Sequence, residues 1–181
     1  MKTFMMYMVG ISGSGKTTIA TKLVEELRKR NYNNLQFIDG DVIRAELGDI
    51  FGYTFEERMK ANKTACVVAN YLIKNGISVI LAQVGAYEAM RRQVRNIFKE
   101  KYIEVYVKCS VEECARRDVK GYYKKVENGD MQNLNGANDV YEIPINSDIV
   151  LDTETFSVSE CVDKILAYLK IQLGDDGKKI V

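Results

Sequence analysis

The stretch FMMYMVGISGSGKTTIA, residues 4–20, decides the fold of this chain. Its apolar first part, residues 4–11, is too short to span a bilayer and predicts a buried strand. Residues 10–17, GISGSGKT, fit the pattern G-x-x-x-x-G-K-[ST] and run directly into a predicted amphipathic helix. Because this motif requires a strand before it and a helix after it, the sequence predicts a phosphate-binding loop.

The glycines of this loop allow consecutive backbone N–H groups to turn inward around a phosphate, and the helix N-terminus adds partial positive charge. We predict that the Lys16 ammonium reaches the β- and γ-phosphate oxygens and that the Thr17 hydroxyl ligates Mg²⁺. A glycine-rich turn without a ligand is the structural alternative. The residues expected to bind ATP are Gly10, Ser12, Gly13, Ser14, Gly15, Lys16, Thr17 and Thr18.

Strand and helix patterns alternate along the rest of the chain. Strands are predicted near Phe4–Val9, Leu35–Asp39, Ser78–Ala82, Ile103–Cys109 and Ile149–Asp152. The predicted buried helix residues are Ile19, Ala20, Leu23, Val24 and Leu27, then Val162, Ile165, Leu166 and Leu169 after a cap at Ser157 or Ser159. This alternation predicts a three-layer α/β fold, with a five-stranded parallel sheet between helices. We expect one domain over residues 1–173 and a flexible tail over residues 174–181.

Composition excludes several classes of site. The 181 residues carry a net charge of +1, which gives no global field for nucleic acid or an anionic membrane. The absence of histidine excludes Ser-His-Asp and Cys-His catalysis and every His-ligated metal. The four cysteines form no C-x-x-C pair, which predicts reduced core thiols and a cytoplasmic location.

Two carboxylates, Asp39 and Asp41, flank a glycine at the end of the second predicted strand. The carboxyl edge of a parallel sheet would place them opposite the phosphate-binding loop. We expect one to order the waters of Mg²⁺ and the other to accept the proton of an attacking hydroxyl. The alternative for either one is an Asx turn or a helix cap. Arg44 and Arg58 lie on the helical segments that follow. Without further context, the interpretation favoured for both is a solvent-exposed helix face.

A basic segment opens the long polar stretch near residues 119–146. Residues 116–125 contain five cations, among them Arg117 and Lys120. Such a segment can close over a triphosphate, screen its charge and exclude water. We therefore predict a mobile lid over residues 117–146, and an exposed basic helix end is the alternative.

A GTPase-type switch is another interpretation of the loop. Residues 49–52, DIFG, match D-x-x-G, and residues 62–65, NKTA, begin like the guanine-reading N-K-x-D. The second motif lacks its aspartate and follows the first too closely, so the sequence favours a kinase over a switch.

Taken together, the motifs resemble the adenylylsulfate (APS) kinase family over residues 3–169. They are GISGSGKTT at 10–18, DGDVIR at 39–44, FGYTFEER at 51–58, RDVKGYYKK at 117–125, YEIP at 141–144 and LDT at 151–153. The resemblance implies a P-loop kinase fold, usually homodimeric. It also implies an enzyme that uses MgATP to phosphorylate the 3′-hydroxyl of a nucleotide whose 5′ phosphate carries a sulfuryl cap.

The resemblance also assigns roles. It implies catalysis by Asp41 as the base, supported by Lys16 and Asp39, with Thr17 and Asp39 at the metal. Arg117 joins the ATP-binding residues by the same resemblance. The acceptor-binding residues that it implies are Asp41, Arg44, Tyr53, Arg58, Asn62, Lys120 and Leu134.

Departures from the family cluster on the acceptor side. Lys63 and Thr64 stand where the family has an arginine pair, and VGAY at 84–87 replaces Ile-Ser-Pro-Tyr. Tyr53 and Leu134 align with two phenylalanines that sandwich the acceptor adenine, so one face of that clamp is not aromatic. These changes leave cytidine diphosphoramidate, an acceptor used in capsular polysaccharide modification, as an alternative to adenylylsulfate. A third hypothesis is a homologue that binds ATP without catalysing phosphoryl transfer.

Overall fold

The structure is a computed structural model that describes residues 3–173, with the last three as backbone only. The tail predicted at residues 174–181 lies outside the described residues. The strands are β1 (Met5–Val9), β2 (Leu35–Asp39), β3 (Ser78–Ala82), β4 (Tyr102–Lys108) and β5 (Ile149–Asp152). The helices are α1 (Lys16–Lys29), α2 (Gly40–Leu47), α3 (Phe55–Lys74), α4 (Glu88–Phe98), α5 (Val111–Arg117), α6 (Tyr122–Glu127) and α7 (Val158–Leu173).

The five strands form one parallel sheet in the order β2-β3-β1-β4-β5, which confirms the predicted α/β architecture. Strand β1 is buried along its whole length because helices cover both faces of the sheet. Met6 and Met8 pack with α1 and α7 on one face, whereas Met5 and Tyr7 pack with α3 and α4 on the other. The sheet therefore brings the carboxyl ends of all five strands, and the loops after them, to one edge.

The two predicted helix faces are confirmed. All nine predicted residues of α1 and α7 are buried. Of the two serines considered as a cap, Ser157 is the one used, because its hydroxyl accepts a hydrogen bond from the Glu160 amide at 3.3 Å. The Glu160 carboxylate accepts the Ser157 amide in return, which completes a capping box. The four cysteines are free thiols and all are buried.

The long polar stretch is not loop throughout, which corrects the sequence-based expectation. Helix α6 lies within it, and the Asp118 carboxylate caps this helix by accepting the amides of Tyr123 and Lys124 at 3.0 and 3.1 Å. Gly121 precedes the helix with φ of 67°. A six-residue helix carries too short an apolar pattern to be separated from a polar loop by periodicity.

Candidate active site

The phosphate-binding loop runs from β1 into α1 in a conformation that its glycines make possible. Gly13 and Gly15 have φ angles of 82° and 102°, in the region that side chains disfavour. A Cβ on Gly10 would lie 2.4 Å from the carbonyl oxygen of Val107, so β4 approaches the loop too closely for any side chain there. The loop therefore has the local geometry that its motif predicts.

Lys16 lies inside this loop. Its ammonium donates hydrogen bonds to the carbonyl oxygens of Gly10 and Ile11, both at 2.8 Å, and lies 3.5 Å from the Ser14 hydroxyl. Desolvation lowers the pKa of Lys16 to about 8, although the Asp41 carboxylate opposes this shift. The protein thus holds a poorly solvated cation where the motif places phosphate oxygens, which would satisfy its charge.

Thr17 and Asp39 meet at the carboxyl edge of the sheet. The Thr17 hydroxyl donates to one Asp39 oxygen at 2.8 Å, and the other Asp39 oxygen accepts the Asp41 amide at 2.9 Å. Asp39 is thus the N-cap of α2, as the structural alternative proposed, and it also contacts the predicted metal ligand. Hydroxyl and carboxylate oxygens suit Mg²⁺, which usually keeps several waters and takes further ligands from substrate phosphates. Within residues 3–173 no group of three acidic or cysteine side chains forms a dedicated metal cage.

Asp41 is exposed and forms an ion pair with Lys120 of the lid. Burial lowers the pKa of Lys120, but the hydrogen bond and charge of Asp41 outweigh this and raise the pKa overall. The pair brings the predicted base and a predicted acceptor-binding cation together across 79 positions of sequence.

A cleft of about 440 Å³ lies between α2, α3, the end of β3 and the lid. We call it the acceptor cleft. Its lining includes six residues that the resemblance assigned to the acceptor: Asp41, Arg44, Tyr53, Arg58, Asn62 and Leu134. The seventh, Lys120, reaches the cleft through its contact with Asp41. The structure thus brings these residues together, but it gives several of them a task within the protein.

Arg58 fastens the lid, which corrects the solvated face considered for it. It is 8% exposed, and its guanidinium donates to the carbonyl oxygens of Tyr53 and Asn133 at 2.8 and 2.7 Å. It also donates to the Asn135 side chain and to the Asp139 carboxylate, the latter at 3.0 Å. A grip on the acceptor's anionic groups would require Arg58 to exchange some of these bonds.

Arg44 and Arg58 both face the ring of Tyr53. Their guanidinium carbons lie 4.7 and 5.4 Å from the ring centre, within the range of cation–π attraction. Arg44 also donates to the carbonyl oxygens of Phe51 and Gly52 at 3.0 and 2.9 Å. The two arginines therefore position a half-exposed aromatic ring at the cleft wall.

Asn62 lines the acceptor cleft and is also held in a buried hydrogen-bond network. It is 1% exposed, and its side-chain oxygen accepts the Tyr7 hydroxyl at 2.9 Å. Its amide nitrogen donates to the Gln93 side chain at 2.9 Å and to the Met90 carbonyl at 3.3 Å. These bonds use both amide hydrogens and one of the two lone pairs of the oxygen, so a direct contact of Asn62 with the acceptor would use the second lone pair or exchange one of these bonds.

Leu134 joins a small apolar cluster under the lid. It is 7% exposed and packs with Ile11, Cys109, Cys114 and Tyr123. Only part of its surface lines the acceptor cleft, so its main contribution is to attach the lid to the phosphate-binding loop.

A second cavity, of about 310 Å³, lies on the other side of the phosphate-binding loop. Arg117 borders it and donates to the hydroxyl and carbonyl oxygens of Thr153 at 3.1 and 2.8 Å. The Thr153 hydroxyl in turn donates to the Ser14 carbonyl at 3.1 Å. Thr153 and Phe156, which also lines the cavity, were missed as site residues, although Thr153 lies in the quoted LDT motif. The cavity adjoins Gly13, Gly15 and Thr18, so a nucleoside attached to phosphates in the loop could enter it.

The matching family profile and the curated relatives point to the same family. A profile described as adenylylsulphate kinase matches residues 2–152. The chain is 40% identical over 172 residues to a probable adenylyl-sulfate kinase of Aeropyrum pernix, covering 93% of each chain. It is 36% identical over 172 residues to an adenylyl-sulfate kinase of Clostridium kluyveri, covering 94% of this chain and 85% of the relative.

The fold is similar to a solved Mycobacterium tuberculosis APS kinase in complex with AMPPNP and APS. The TM-score is 0.88 at 24% identity, and the match covers 93% of this chain and 98% of the other. None of the helices in the described part of the chain is both long and apolar enough to cross a membrane.

Proposed function

Because the chain belongs to the adenylylsulphate kinase family, we propose that it transfers the γ-phosphoryl group of ATP to the 3′-hydroxyl of adenylylsulfate. Membership makes it a phosphotransferase with an alcohol group as acceptor. The observation that carries the proposal is the position of Asp41, which lines the acceptor cleft and touches Lys120 of the lid. A carboxylate there can reach a hydroxyl that is aligned with a phosphate in the loop.

On the donor side, the backbone amides between Gly10 and Thr17 would hold the phosphates, and Lys16 would move its hydrogen bonds from loop carbonyls to phosphate oxygens. Thr17 and Asp39 would hold Mg²⁺, directly and through water. The ion supplies neutralisation of the charge on the transferring phosphoryl group. Arg117, Thr153 and the cavity beside them would receive the nucleoside of ATP.

On the acceptor side, Asp41 would accept the proton of the attacking hydroxyl while Lys120 supplies positive charge near the reacting groups. Phosphoryl transfer needs little covalent help from the protein, so positioning and charge neutralisation are sufficient. The ring of Tyr53 would stack on the acceptor base, and Arg44 lies beside it for an anionic group of the nucleotide.

The comparisons do not support cytidine diphosphoramidate as the acceptor, since the matched family and relatives are adenylylsulfate kinases. The loss of an aromatic ring at Leu134, which suggested that alternative, has another explanation in the structure. Leu134 packs into the apolar cluster that attaches the lid to Ile11.

A coupled ADP-release assay tests the proposal. We expect turnover with adenylylsulfate, dependence on Mg²⁺, and a kcat/KM for adenylylsulfate above that for a capped pyrimidine nucleotide. The variant Asp41→Asn should bind ATP and release almost no ADP. Wild-type protein that binds ATP but shows no turnover would identify a non-catalytic homologue instead. Preference for GTP would favour the switch.

We also propose a homodimer in a reducing, cytoplasmic compartment. The four buried free thiols suit such a compartment. The proposal of a homodimer rests on α3, whose exposed side chains form a surface that a second copy could cover. These are Val67, Val68 and Tyr71, exposed at 49%, 46% and 66%. Light scattering coupled to size-exclusion chromatography measures the oligomeric state directly.

A further inference from the structure

Gln83 is a polar residue of the acceptor cleft that neither the motifs nor the resemblance pointed to. It follows β3 directly, and its backbone amide donates to the Met8 carbonyl of β1 at 3.1 Å. The last register pair between β2 and β3 joins Asp39 to Ala82, so Gln83 lies one position beyond it, beside Gly40. It lines the cleft together with Asp41.

The side-chain amide of Gln83 is oriented from below by Tyr7. The Tyr7 hydroxyl, on a fully buried residue, donates to the Gln83 side-chain oxygen at 3.3 Å and shares its proton with Asn62 at 2.9 Å. The other contacts of Asn62, to Gln93 and Met90, keep that network fixed. With its oxygen turned toward the core, Gln83 directs its amide nitrogen away from Tyr7.

Gly40 gives the Gln83 side chain its room. A Cβ on Gly40 would lie 2.4 Å from Gln83 Cγ and 3.2 Å from Gln83 Nε2. The glycine between the two carboxylates has an ordinary negative φ, so its backbone conformation does not require glycine. The Gln83 side chain and the Ala82 carbonyl oxygen, 3.0 Å from such a Cβ, together leave no room for one. This packing places an uncharged N–H donor directly against the segment that joins Asp39 to Asp41.

We propose that Gln83 binds the acceptor, its amide nitrogen donating a hydrogen bond to an oxygen of the ribose-phosphate part of the nucleotide. The inference rests on the proposed function and adds a residue to its acceptor site. The acceptor is an anion that must approach Asp39 and Asp41, and a neutral donor beside them attracts oxygen without adding negative charge. A carboxylate of the same shape at this position would repel that anion.

Two substitutions separate these effects. Gln83→Glu keeps the shape and the oxygen that faces Tyr7 but replaces the donor by negative charge, whereas Gln83→Met removes the donor without adding charge. Gln36→Glu is the matched control, because Gln36 is an exposed residue of β2 whose side chain bonds only locally, to the Phe37 carbonyl. All three proteins are compared with wild type by calorimetric titration with adenylylsulfate and by steady-state ADP release.

We expect the Kd and KM for adenylylsulfate to rise by about 3- to 10-fold in Gln83→Met, since one hydrogen bond is lost. In Gln83→Glu they should rise by more than about 10-fold, because repulsion is added. The KM for ATP should stay within about twofold in both, and Gln36→Glu should match wild type.

An unchanged Kd for adenylylsulfate in both Gln83 variants, with wild type active, would overturn this inference and leave the proposed function standing. Equal rises in the KM of ATP and of adenylylsulfate would also overturn it, because they would indicate a general distortion of the site. If wild-type protein neither binds nor phosphorylates adenylylsulfate, the proposed function and the inference fail together.

Discussion

Replacing Arg58 by alanine should loosen the lid and destabilise the whole protein. Arg58 is buried, and three of its four hydrogen bonds join the start of α3 to residues 133–139 of the lid, while the fourth goes to the Tyr53 carbonyl. Its ion pair with Asp139 has side-chain exposures of 10% and 21%, so solvent screens it only in part. Asn135, 3% exposed, would lose the donor to its side-chain oxygen.

The magnitude follows from these contacts. Each hydrogen bond contributes about 0.5–1.5 kcal/mol net, and a buried polar group left without a partner costs about 1–3 kcal/mol. Water can reach the Asp139 carboxylate in the variant and recover part of the loss. We therefore expect Arg58→Ala to lower the free energy of unfolding by about 2–4 kcal/mol.

Urea unfolding measures this loss, and Arg116→Ala provides the control. Arg116 also forms a two-bond pair with a carboxylate, Glu113, but its side chain is 74% exposed. Such a surface pair contributes about 0–1 kcal/mol. Hydrogen exchange should show faster exchange at residues 131–141 in Arg58→Ala alone. If Arg58→Ala, like the control, loses less than about 1 kcal/mol and hydrogen exchange in the lid is unchanged, Arg58 does not fasten the lid.

Further predictions concern the loop, the base and the thiols. Lys16→Ala should lower kcat/KM by at least about 100-fold in the ADP-release assay, because the cation at the phosphates is lost. The free energy of unfolding should change little, because Lys16 bonds only to loop groups. Turnover near the wild-type rate would contradict this. Asp41→Asn should lower kcat by about 100-fold or more while calorimetry shows ATP affinity within about threefold, and a collapse of ATP binding would instead assign this residue to the metal. Gly10→Ala should cost about 1–3 kcal/mol more in urea unfolding than Gly76→Ala, because only the first Cβ meets a carbonyl oxygen, at 2.4 Å. Burial raises the pKa of Cys66 to about 12, so iodoacetamide at pH 8 should leave this thiol unmodified in the folded protein, as mass spectrometry of its peptide would show.

The fold and the donor side could be predicted because their signals are local in sequence. Strand β1, the glycine loop and α1 are contiguous, and their apolar periods and φ requirements are set by neighbouring residues. Asp39 was found for the same reason, since it ends a strand and precedes a helix. The strand limits were predicted to within one residue. For β1, burial on both faces produces an uninterrupted apolar run.

The acceptor side could not be predicted as well, because the contacts of its side chains are made with partners that are far away in the sequence. Arg58 and Asn135 are 77 residues apart, and Asn62 and Tyr7 are 55 apart. Neither motif nor periodicity indicates whether an arginine or an amide will find a buried partner within the protein or remain free for a ligand. Two partners within the protein occupy the Asn62 amide nitrogen, whereas Tyr7 holds only the oxygen of the Gln83 amide, in a side chain that lines the cleft.

The departures at Gly85 and Leu134 follow from packing and need no change of acceptor. Gly85 has φ of 59°, and a Cβ there would lie 2.5 Å from the Val9 side chain, so the backbone and β1 together exclude a serine. Leu134 fills the cluster above Ile11, and the Tyr123 hydroxyl donates to the Ser12 carbonyl at 2.8 Å. The lid thus attaches to the same loop whose carbonyl oxygens hold Lys16. We therefore expect that a phosphate that draws Lys16 off those carbonyls would also act on the loop segment to which the lid is attached, which would couple donor binding to lid position.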